Sequence, residues 1–347
     1  MDPVKRAIET VARGQDMDTG LMHSVMLQIM EGKATDAQTG ALLMGLRVKG
    51  ETVDEIAGAA MVMREKVVPV RPALAPGEPL VDTCGTGGDG TSTFNISTTA
   101  AFVAAGAGVK VAKHGNRSVS SRSGSADVLE ALGIRLDLPP EEVARAIGVA
   151  GIGFLFAPAL HPAMKHAIGP RRELGIRTIF NVLGPLTNPA GADCQVLGVY
   201  SPSLLKPIAE VLGRLGTRRA WVVHGAGGLD EISPLGPTQV AEWHEGKVRE
   251  FQIHPSDFGI STCSADDISG QGPEDNARIL EEILSGQKGH RRDTVVMNAA
   301  AAILVAGKAS SIKEAGEAAR RSIDSGMART ALESLRAFGN DVATDSD

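Results

Sequence analysis

The amino-acid sequence predicts an α/β protein with two parts, a small all-helical domain and a large α/β domain that has a mainly parallel central sheet and a helical C-terminal part. Three patterns indicate this fold class. Apolar residues recur at helical spacing through the first 66 residues, and short apolar runs alternate with helical stretches from residue 79. Helical periodicity then returns over residues 273–338, and a length of 347 residues suits two domains.

The N-terminal region is predicted to form four short helices. Two of them begin with a capping box, Thr35 with Gln38 and Thr52 with Glu55, in which two side chains satisfy free backbone N–H groups at the helix start. Residues 69–79 contain four prolines and cannot continue a helix. The helical domain is therefore expected to end in this segment.

Strands and helices alternate in the next part of the chain, which favours a parallel sheet with crossover helices. The predicted strands are LVDTC, VKVAKHG, IGFLF, CQVLGVY and RAWVVHG, and the predicted helices cover residues 97–105, 125–132, 140–149 and 204–215. Residues 239–253 are predicted to form a hairpin that turns at Glu245 and Gly246. Because open parallel sheets bind ligands at the carboxyl ends of their strands, the loops after these strands are candidate sites.

Composition and charge exclude several classes of protein. The net charge is -6, and 35 Lys and Arg residues are scattered among 41 acids, so we expect no nucleic-acid partner. No apolar run reaches the roughly 18 residues of a membrane span, and the start resembles no secretory signal, so we expect a cytoplasmic protein without membrane contact. The widely spaced Cys84, Cys194 and Cys263 indicate neither a disulfide framework nor a zinc site.

The densest motif, GTGGDGTSTFNIST from residue 85, separates the first strand from the next helix. Its glycines let backbone N–H groups converge, and the helix start near Ser97 adds partial positive charge, so the motif predicts a cradle for a polyphosphate. A flexible turn and a dinucleotide site are the alternatives, since the glycines spell G-x-G-x-x-G. The dinucleotide site is disfavoured because the helix begins after the glycines and the next strand ends in Lys113 rather than an acid.

A second motif, KHGNRSVSSRSGSAD from residue 113, follows the next strand. Lys113, Arg117 and Arg122 supply positive charge and five serines supply neutral donors, a composition suited to a phosphorylated substrate. A solvated basic loop is the alternative.

These two motifs resemble the anthranilate phosphoribosyltransferase family. The resemblance covers nearly the whole chain and continues through Arg171, RTIFNVLGPLTNP from residue 177, residues 225–231 and the predicted helices of Asn276 and Asn298. The resemblance implies a nucleoside-phosphorylase-like fold. Residues 1–72 would form the helical domain, which also takes in about 162–187, and residues 73–161 and 188–340 would form the α/β domain, before a frayed tail at 341–347. It also implies a homodimer formed through the helical domains, for which the stripe of Met22, Met26 and Met30 is a candidate surface, unless the stripe is core.

The implied reaction transfers the 5-phosphoribosyl group of phosphoribosyl pyrophosphate to the amine of anthranilate, with Mg²⁺, giving N-(5-phosphoribosyl)anthranilate and pyrophosphate. The residues that match the family's phosphoribosyl-pyrophosphate site are Gly85, Gly88, Asp89, Thr93, Asn95, Ile96, Ser97, Thr98, Lys113, His114, Gly115, Asn116, Arg117, Ser118, Val119, Ser120, Ser121 and Ser125. Those that match the anthranilate site are Gly85, Asn116 and Arg171, and those that match the magnesium site are Ser97, Asp230 and Glu231. No covalent nucleophile or general base is assigned.

Two of these assignments also have support from the residues alone. Asp230 and Glu231 follow a strand and three glycines, where two hard oxygen ligands suit Mg²⁺ bound to a pyrophosphate, although an adjacent acidic pair is more often a solvated surface. Arg171, Arg172 and Arg177 could hold a carboxylate with a guanidinium, or could only cap a helix C-terminus.

Two other functions on this fold remain open from the sequence. A pyrimidine-nucleoside phosphorylase would share the phosphate cradle, but its lysine-histidine motif continues differently from Lys113 to Arg117. A non-catalytic, nucleic-acid-binding relative would be expected to have a basic surface and to lack the acidic pair at Asp230 and Glu231.

Overall fold

The computed structural model describes residues 2–88, 90–118 and 122–344, and the N-terminal part of this range forms four helices. Their bounds are α1 (Pro3–Ala12), α2 (Thr19–Met30), α3 (Asp36–Lys49) and α4 (Val53–Lys66). The capping boxes predicted at Thr35 and Thr52 are both formed. Gly50 ends α3 with a φ of 88°, a conformation that only glycine adopts without strain. The predicted helical region is therefore confirmed.

The larger domain is built on a seven-stranded sheet within the described residues. Its strands are β1 (Leu80–Gly85), β2 (Lys110–Gly115), β3 (Ile152–Phe156), β4 (Cys194–Gly198), β5 (Arg219–Gly225), β6 (Thr238–His244) and β7 (Lys247–Ile253). They lie in the order β3-β2-β1-β4-β5-β6-β7, parallel from β3 to β5 and antiparallel at β6 and β7. Glu245 and Gly246 have positive φ at the predicted hairpin turn. The mainly parallel sheet is confirmed.

Helices cover both faces of this sheet and form the C-terminal part of the chain. They are α5 (Ile96–Gly106), α6 (Ser125–Ala131), α7 (Pro140–Ala150), α8 (Ala157–Leu160), α9 (Lys165–Leu174), α10 (Phe180–Leu183), α11 (Leu205–Arg214), α12 (Pro273–Leu284), α13 (His290–Val305), α14 (Ile312–Asp324) and α15 (Met327–Thr344). Because α15 continues to Thr344, residues 341–344 are helical rather than frayed. Residues 345–347 lie outside the described part of the chain.

The hydrophobic core divides along the sheet. One face carries Val81, Val111 and Val196 and packs against α5 and the C-terminal helices. The other face carries Leu197 and Val222 and packs in one cluster with α11, the four N-terminal helices and apolar residues of 167–186. This packing, in which α9 contacts α2 and α3, supports the grouping of residues 162–187 with the helical domain that the family resemblance implies.

The methionine stripe of α2 lies in the interior. Met22, Met26 and Met30 are 0%, 0% and 3% exposed and belong to the core of the helical domain. The stripe is therefore core and is not available as a dimer surface, which corrects the first of the two sequence interpretations. The large apolar side chains left exposed on neighbouring helices are Met44 and Val48 of α3, and Ile168 of α9.

Two further predictions about the chain can be compared with the structure. The three cysteines are all unbonded, as their spacing indicates. In the described part of the chain, no helix combines the length and the apolarity that crossing a membrane requires.

Candidate active site

The two loop motifs and the acidic pair lie at one edge of the sheet. The strands β1, β2, β4 and β5 are parallel, so their carboxyl ends share that edge. In the sheet, β1 lies between β2 and β4. The chain adds β2 and then β3 on one side of β1, and it then crosses over to place β4 on the other side. Open α/β sheets form their ligand crevice where the strand order reverses in this way.

Asp230 joins the loop after β5 to the loop after β1. Its Oδ2 accepts a hydrogen bond from the backbone N–H of Gly87 at 2.7 Å. A Cβ on Gly85 would collide with the same carboxylate, and a Cβ on Gly198 would collide with the Asp230 backbone carbonyl. Glycine is therefore needed at the ends of both β1 and β4 for the acidic loop to pass so closely.

Glu231 lies at the N-terminus of α5. Its Oε1 accepts a hydrogen bond from the Ser97 backbone N–H at 3.1 Å, and the Ser97 hydroxyl also bonds to this carboxylate. Burial and the negative charge of Asp230 raise the pKa of Glu231 to about 8. The three residues predicted to bind magnesium are thus brought together in the structure, and the two carboxylates repel each other in a way that a cation would relieve.

The acidic pair and Ser97 form a small ligand set. Among the described residues, no group of three or more His, Cys, Asp and Glu side chains could hold a metal ion. Mg²⁺ sites commonly use one or two carboxylates together with substrate phosphate oxygens and waters. The donors found here match that kind of site.

Lys113 lies beneath the glycine loop and is only 2% exposed. Its Nζ donates to the Thr83 carbonyl at 2.5 Å, and burial lowers its pKa although the negative charge of Asp82 opposes the shift. Asp82 itself accepts hydrogen bonds from Asn188 Nδ2 at 2.8 Å and from the His114 backbone N–H at 3.1 Å. This buried network fixes the ends of β1 and β2 relative to each other.

His114 points inward rather than toward the edge of the sheet. Its Nε2 lies 3.2 Å from Nε2 of His161, and the two side chains are almost fully buried. Burial and the neighbouring His161 lower the pKa of His114 to about 3, and burial lowers that of His161 to about 4. Both imidazoles are therefore neutral at pH 7, and the side chain of His114 is not a free cation for a phosphate.

The second loop is folded back onto α6 by Asp127. Its Oδ2 accepts the backbone N–H groups of Ser118 and Gly124, each at 2.9 Å. The guanidinium of Arg117 forms ion pairs with Asp127 and with Glu130, the latter at 2.7 Å. Of the three cations that the sequence assigned to a phosphate, Arg117 is thus paired with carboxylates of the same chain. The predicted residues Asp89, Val119, Ser120 and Ser121 lie outside the described residues.

At the start of α5, the groups that could bind a ligand are backbone N–H groups rather than side chains. Ile96 and Thr98 are each 1% exposed, so their predicted part in ligand binding is limited to the N–H groups of the first helical turn. Asn95 precedes the helix without capping it, and Thr93 pairs with Ser269 in an isolated antiparallel bridge. The first motif is therefore anchored from the C-terminal part of the chain.

Arg171 lies in the last turn of α9, as the helix-capping alternative expects. Its guanidinium carbon lies 5.0 Å from the centre of the Phe180 ring, and burial lowers its pKa. In the part of the chain that the structure describes, no carboxylate forms an ion pair with it. A half-buried cation without an anionic partner suits a carboxylate ligand.

The other arginines of this cluster are placed differently. Arg177 donates to the Gly88 carbonyl and stacks on the Tyr200 ring, with its guanidinium carbon 4.3 Å from the ring centre. Arg172 is exposed to solvent. Arg171 is therefore the member of the cluster whose charge is both partly buried and unpaired.

Several residues of the site region were given no role by the sequence, although Asn188 lies in RTIFNVLGPLTNP and the helices of Asn276 and Asn298 belong to the family resemblance. These residues are His161, Asn188, Tyr200, Asn276 and Asn298, which contact the motifs from distant segments. The two asparagines of the C-terminal helices carry a usable signal, since each interrupts an apolar helical face.

Comparison with family models places both parts of the chain in one family. Residues 5–67 match the glycosyl transferase family helical bundle domain, and residues 77–329 match the glycosyl transferase family a/b domain. The two matches follow the division into helical and α/β parts seen in the fold.

Individual relatives are similar over nearly their whole length. The chain is 55% identical to anthranilate phosphoribosyltransferase of Symbiobacterium thermophilum, over 99% of this chain and 100% of that protein. It superposes on the crystal structure of anthranilate phosphoribosyltransferase from Thermus thermophilus with a TM-score of 0.92 and 46% identity, covering 98% of this chain and 100% of that one. The Saccharomyces cerevisiae enzyme in complex with phosphoribosyl pyrophosphate and Mg matches with a TM-score of 0.88 and 32% identity, over 97% and 98%.

Proposed function

The chain belongs to the anthranilate phosphoribosyltransferase family, and we propose that its reaction takes place in the crevice where the loops after β1, β2 and β5 meet. The enzyme transfers the 5-phosphoribosyl group of phosphoribosyl pyrophosphate to the amine of anthranilate in tryptophan biosynthesis. Two hydrogen bonds support this location best. The Gly87 N–H donates to Asp230 and the Ser97 N–H donates to Glu231, so the acidic pair is bonded to the glycine loop and to the start of α5.

Phosphoribosyl pyrophosphate binds, in this proposal, to the backbone of the glycine loop and of the first turn of α5. Loop N–H groups and a helix N-terminus together favour an anion without needing cationic side chains. Lys113 contributes its buried charge near the end of β1. Asn116 lies on the loop after β2, and Ser125 at the start of α6 donates to the Asn116 carbonyl. For the other residues predicted at this site, a role in binding phosphoribosyl pyrophosphate is likewise a proposal.

Mg²⁺ fits the acidic pair, because burial and the negative charge of Asp230 disfavour the ionised form of Glu231, and a bound cation would offset that cost. Asp230, Glu231 and the Ser97 hydroxyl would hold it. When bound, the ion supplies neutralisation of the charge that develops on the leaving pyrophosphate. The hydrogen bonds from Gly87 and Ser97 orient the two carboxylates before any substrate arrives.

Anthranilate is assigned to Arg171, Asn116 and Gly85. The guanidinium of Arg171 pairs with the carboxylate of the substrate, since it has no anionic partner of its own in the described part of the chain. The reacting amine is aromatic and already neutral at pH 7, so the chain's residues contribute by placing it near the anomeric carbon. His114 and His161 are weak bases, because burial lowers their pKa values to about 3 and about 4, and no general base is proposed.

A homodimer through the helical domains is also proposed. The exposed apolar side chains Met44, Val48 and Ile168 lie on the neighbouring helices α3 and α9, and Ile176 follows α9. A cluster of exposed apolar residues on one side of a domain is typical of an interface.

Turnover is the direct test of the function. Loss of anthranilate fluorescence is followed with phosphoribosyl pyrophosphate and Mg²⁺, omitting each in turn. Turnover only in the complete mixture supports the proposal. Phosphorolysis of thymidine or uridine without anthranilate turnover would instead identify a nucleoside phosphorylase.

A further inference from the structure

Two buried asparagines of the C-terminal helices reach the loops of the proposed site. Asn276 of α12 is 2% exposed and Asn298 of α13 is 3% exposed. Both helices otherwise bury aliphatic side chains such as Ile279, Leu280 and Val295. A buried amide destabilises the fold unless it is hydrogen-bonded. Both ends of the Asn298 amide are bonded, whereas Asn276 donates from Nδ2 and its buried Oδ1 has no partner among the described residues.

Asn298 holds the backbone immediately after the acidic pair. Its Oδ1 accepts the N–H of Ile232 at 2.9 Å, and its Nδ2 donates to the Ile232 carbonyl at 3.0 Å and to the Thr294 carbonyl at 2.9 Å. One side chain thus pairs with both backbone groups of Ile232. The N–H of Ile232 belongs to the same peptide unit as the Glu231 carbonyl, so this pairing fixes the direction in which Glu231 leaves the loop.

Asn276 holds the other half of the site. Its Nδ2 donates to Asn95 Oδ1 at 2.8 Å, and the same oxygen accepts the hydroxyl of Ser123 at 3.1 Å. Asn95 stands directly before α5, and Ser123 lies in the loop after β2. Asn276 therefore holds Asn95 directly, at the end of the loop after β1, and through Asn95 it is connected to the loop after β2.

We propose that Asn276 and Asn298 are positioning residues for the reaction, Asn276 for the two loops that bind phosphoribosyl pyrophosphate and Asn298 for the acidic pair. The proposal rests on the proposed function. Neither side chain is assigned to a substrate. Partners that orient the ligands of a metal commonly change metal affinity or activity by about 10- to 100-fold when they are removed.

The two variants have different expected effects, and each serves as a comparison for the other. Asn298→Ala should raise the half-saturating Mg²⁺ concentration at least about tenfold at saturating phosphoribosyl pyrophosphate. Asn276→Ala should raise the KM for phosphoribosyl pyrophosphate at saturating Mg²⁺ by a similar factor. Ser322→Ala is the matched control, since Ser322 is 3% exposed and donates to the Val103 carbonyl at the far end of α5.

Hydrogen exchange in the metal-free, substrate-free protein supplies a readout that does not depend on turnover. The peptide containing Ile232 should exchange faster in Asn298→Ala, and the peptide containing residues 93–99 should exchange faster in Asn276→Ala, with neither change in Ser322→Ala. Asn298→Ser and Asn276→Ser, which keep one hydrogen-bonding group, are used if the alanine variants do not fold.

The outcomes separate the two levels of the argument. Selective changes in the two constants and in the two peptides support the proposal. If both asparagine variants lower stability as Ser322→Ala does, with unchanged constants and no local increase in exchange, the asparagines are structural only. If the wild-type protein shows no turnover, the proposed function fails, and the exchange data still decide whether the asparagines fix the loops.

Discussion

The Asp230 carboxylate and the Gly87 backbone N–H lie 2.7 Å apart, so the loop after β5 is hydrogen-bonded to the loop after β1. The two residues are 143 positions apart in the chain. The contact is possible because β1 and β4 both end in glycine, where the Asp230 carboxylate lies against Gly85 and the Asp230 backbone carbonyl lies against Gly198. The placement of the acidic pair therefore depends on the lack of a side chain at these two glycines as much as on hydrogen bonds.

A Cβ at Gly198 should displace the acidic loop. Because it would overlap the Asp230 carbonyl, Gly198→Ala should lower the free energy of unfolding by about 1–3 kcal/mol and raise the half-saturating Mg²⁺ concentration. Gly148→Ala is the control, since Gly148 is exposed on α7 with nothing within 4 Å of an added Cβ, and should stabilise the protein slightly. Denaturant unfolding and Mg²⁺ titrations check both. Equal Mg²⁺ titrations for Gly198→Ala and wild type would disprove the dependence.

Arg171→Ala should weaken anthranilate binding selectively. Removing one partner of a buried charge pair costs about 2–5 kcal/mol, and the loss should appear in the KM for anthranilate because the reacting centre is the amine. The KM for phosphoribosyl pyrophosphate should change little. Steady-state kinetics of Arg171→Ala are compared with those of Arg172→Ala, whose side chain is exposed. A selective defect in the Arg172 variant alone would reassign the carboxylate, and a defect only toward phosphoribosyl pyrophosphate would refute the assignment.

Acid should destabilise the fold through the two buried histidines. The folded-state pKa values of about 3 for His114 and about 4 for His161 lie below the ordinary value of 6.5. Below pH 6.5 the unfolded chain therefore binds protons that the folded chain does not, and stability falls as the pH drops from 6.5 toward about 4. At pH 5 each histidine should account for about 2 kcal/mol of lost stability.

Urea unfolding at pH 7.5 and pH 5 measures this effect. His161→Gln should lose less stability between the two pH values than the wild-type protein does, because one titrating group is gone. His244→Gln, at the exposed end of β6, serves as the control and should behave as wild type. An identical pH dependence for His161→Gln and wild type would show that the histidine pair does not contribute.

The exposed apolar residues of α3 should form a dimer contact. Light scattering should give twice the chain mass of 36.0 kDa, and Val48→Asp, at a side chain 75% exposed, should shift the protein toward the monomer. Val149→Asp changes an equally exposed valine on α7 and should leave the dimer intact. A monomer in the wild-type protein at micromolar concentration would contradict the dimer.

The helices and strands could be predicted because their signals are local. The capping boxes at Thr35 and Thr52 and the turn at Glu245 depend on residues within a few positions of one another, and all three are formed. The stripe of Met22 and Met26 shows the limit, since periodicity identifies an apolar face but not what covers it.

The sequence indicated which residues belong to the site, but it indicated less well which other residues they contact. The proximity of Ser97 to Glu231 depends on the strand order β1-β4-β5, and the sequence indicated it only through the family resemblance. The pairing of Arg117 with Glu130 and the burial of His114 against His161 depend on three-dimensional packing, which a linear motif does not specify. The same is true of Asn298, whose partner Ile232 lies 66 positions away.

The position of a bound metal ion shows whether Asp230 and Glu231 form the magnesium site. Crystals grown with phosphoribosyl pyrophosphate and Mn²⁺ in place of Mg²⁺ allow the ion to be located by its anomalous scattering, with the Asp230→Asn and Glu231→Gln double variant as control. The assignment of Mg²⁺ to this pair predicts an anomalous peak within coordination distance of the two residues and of the substrate pyrophosphate. The double variant should lose this peak and most of its turnover. A peak elsewhere, or a double variant with wild-type turnover at every Mg²⁺ concentration, would contradict this assignment.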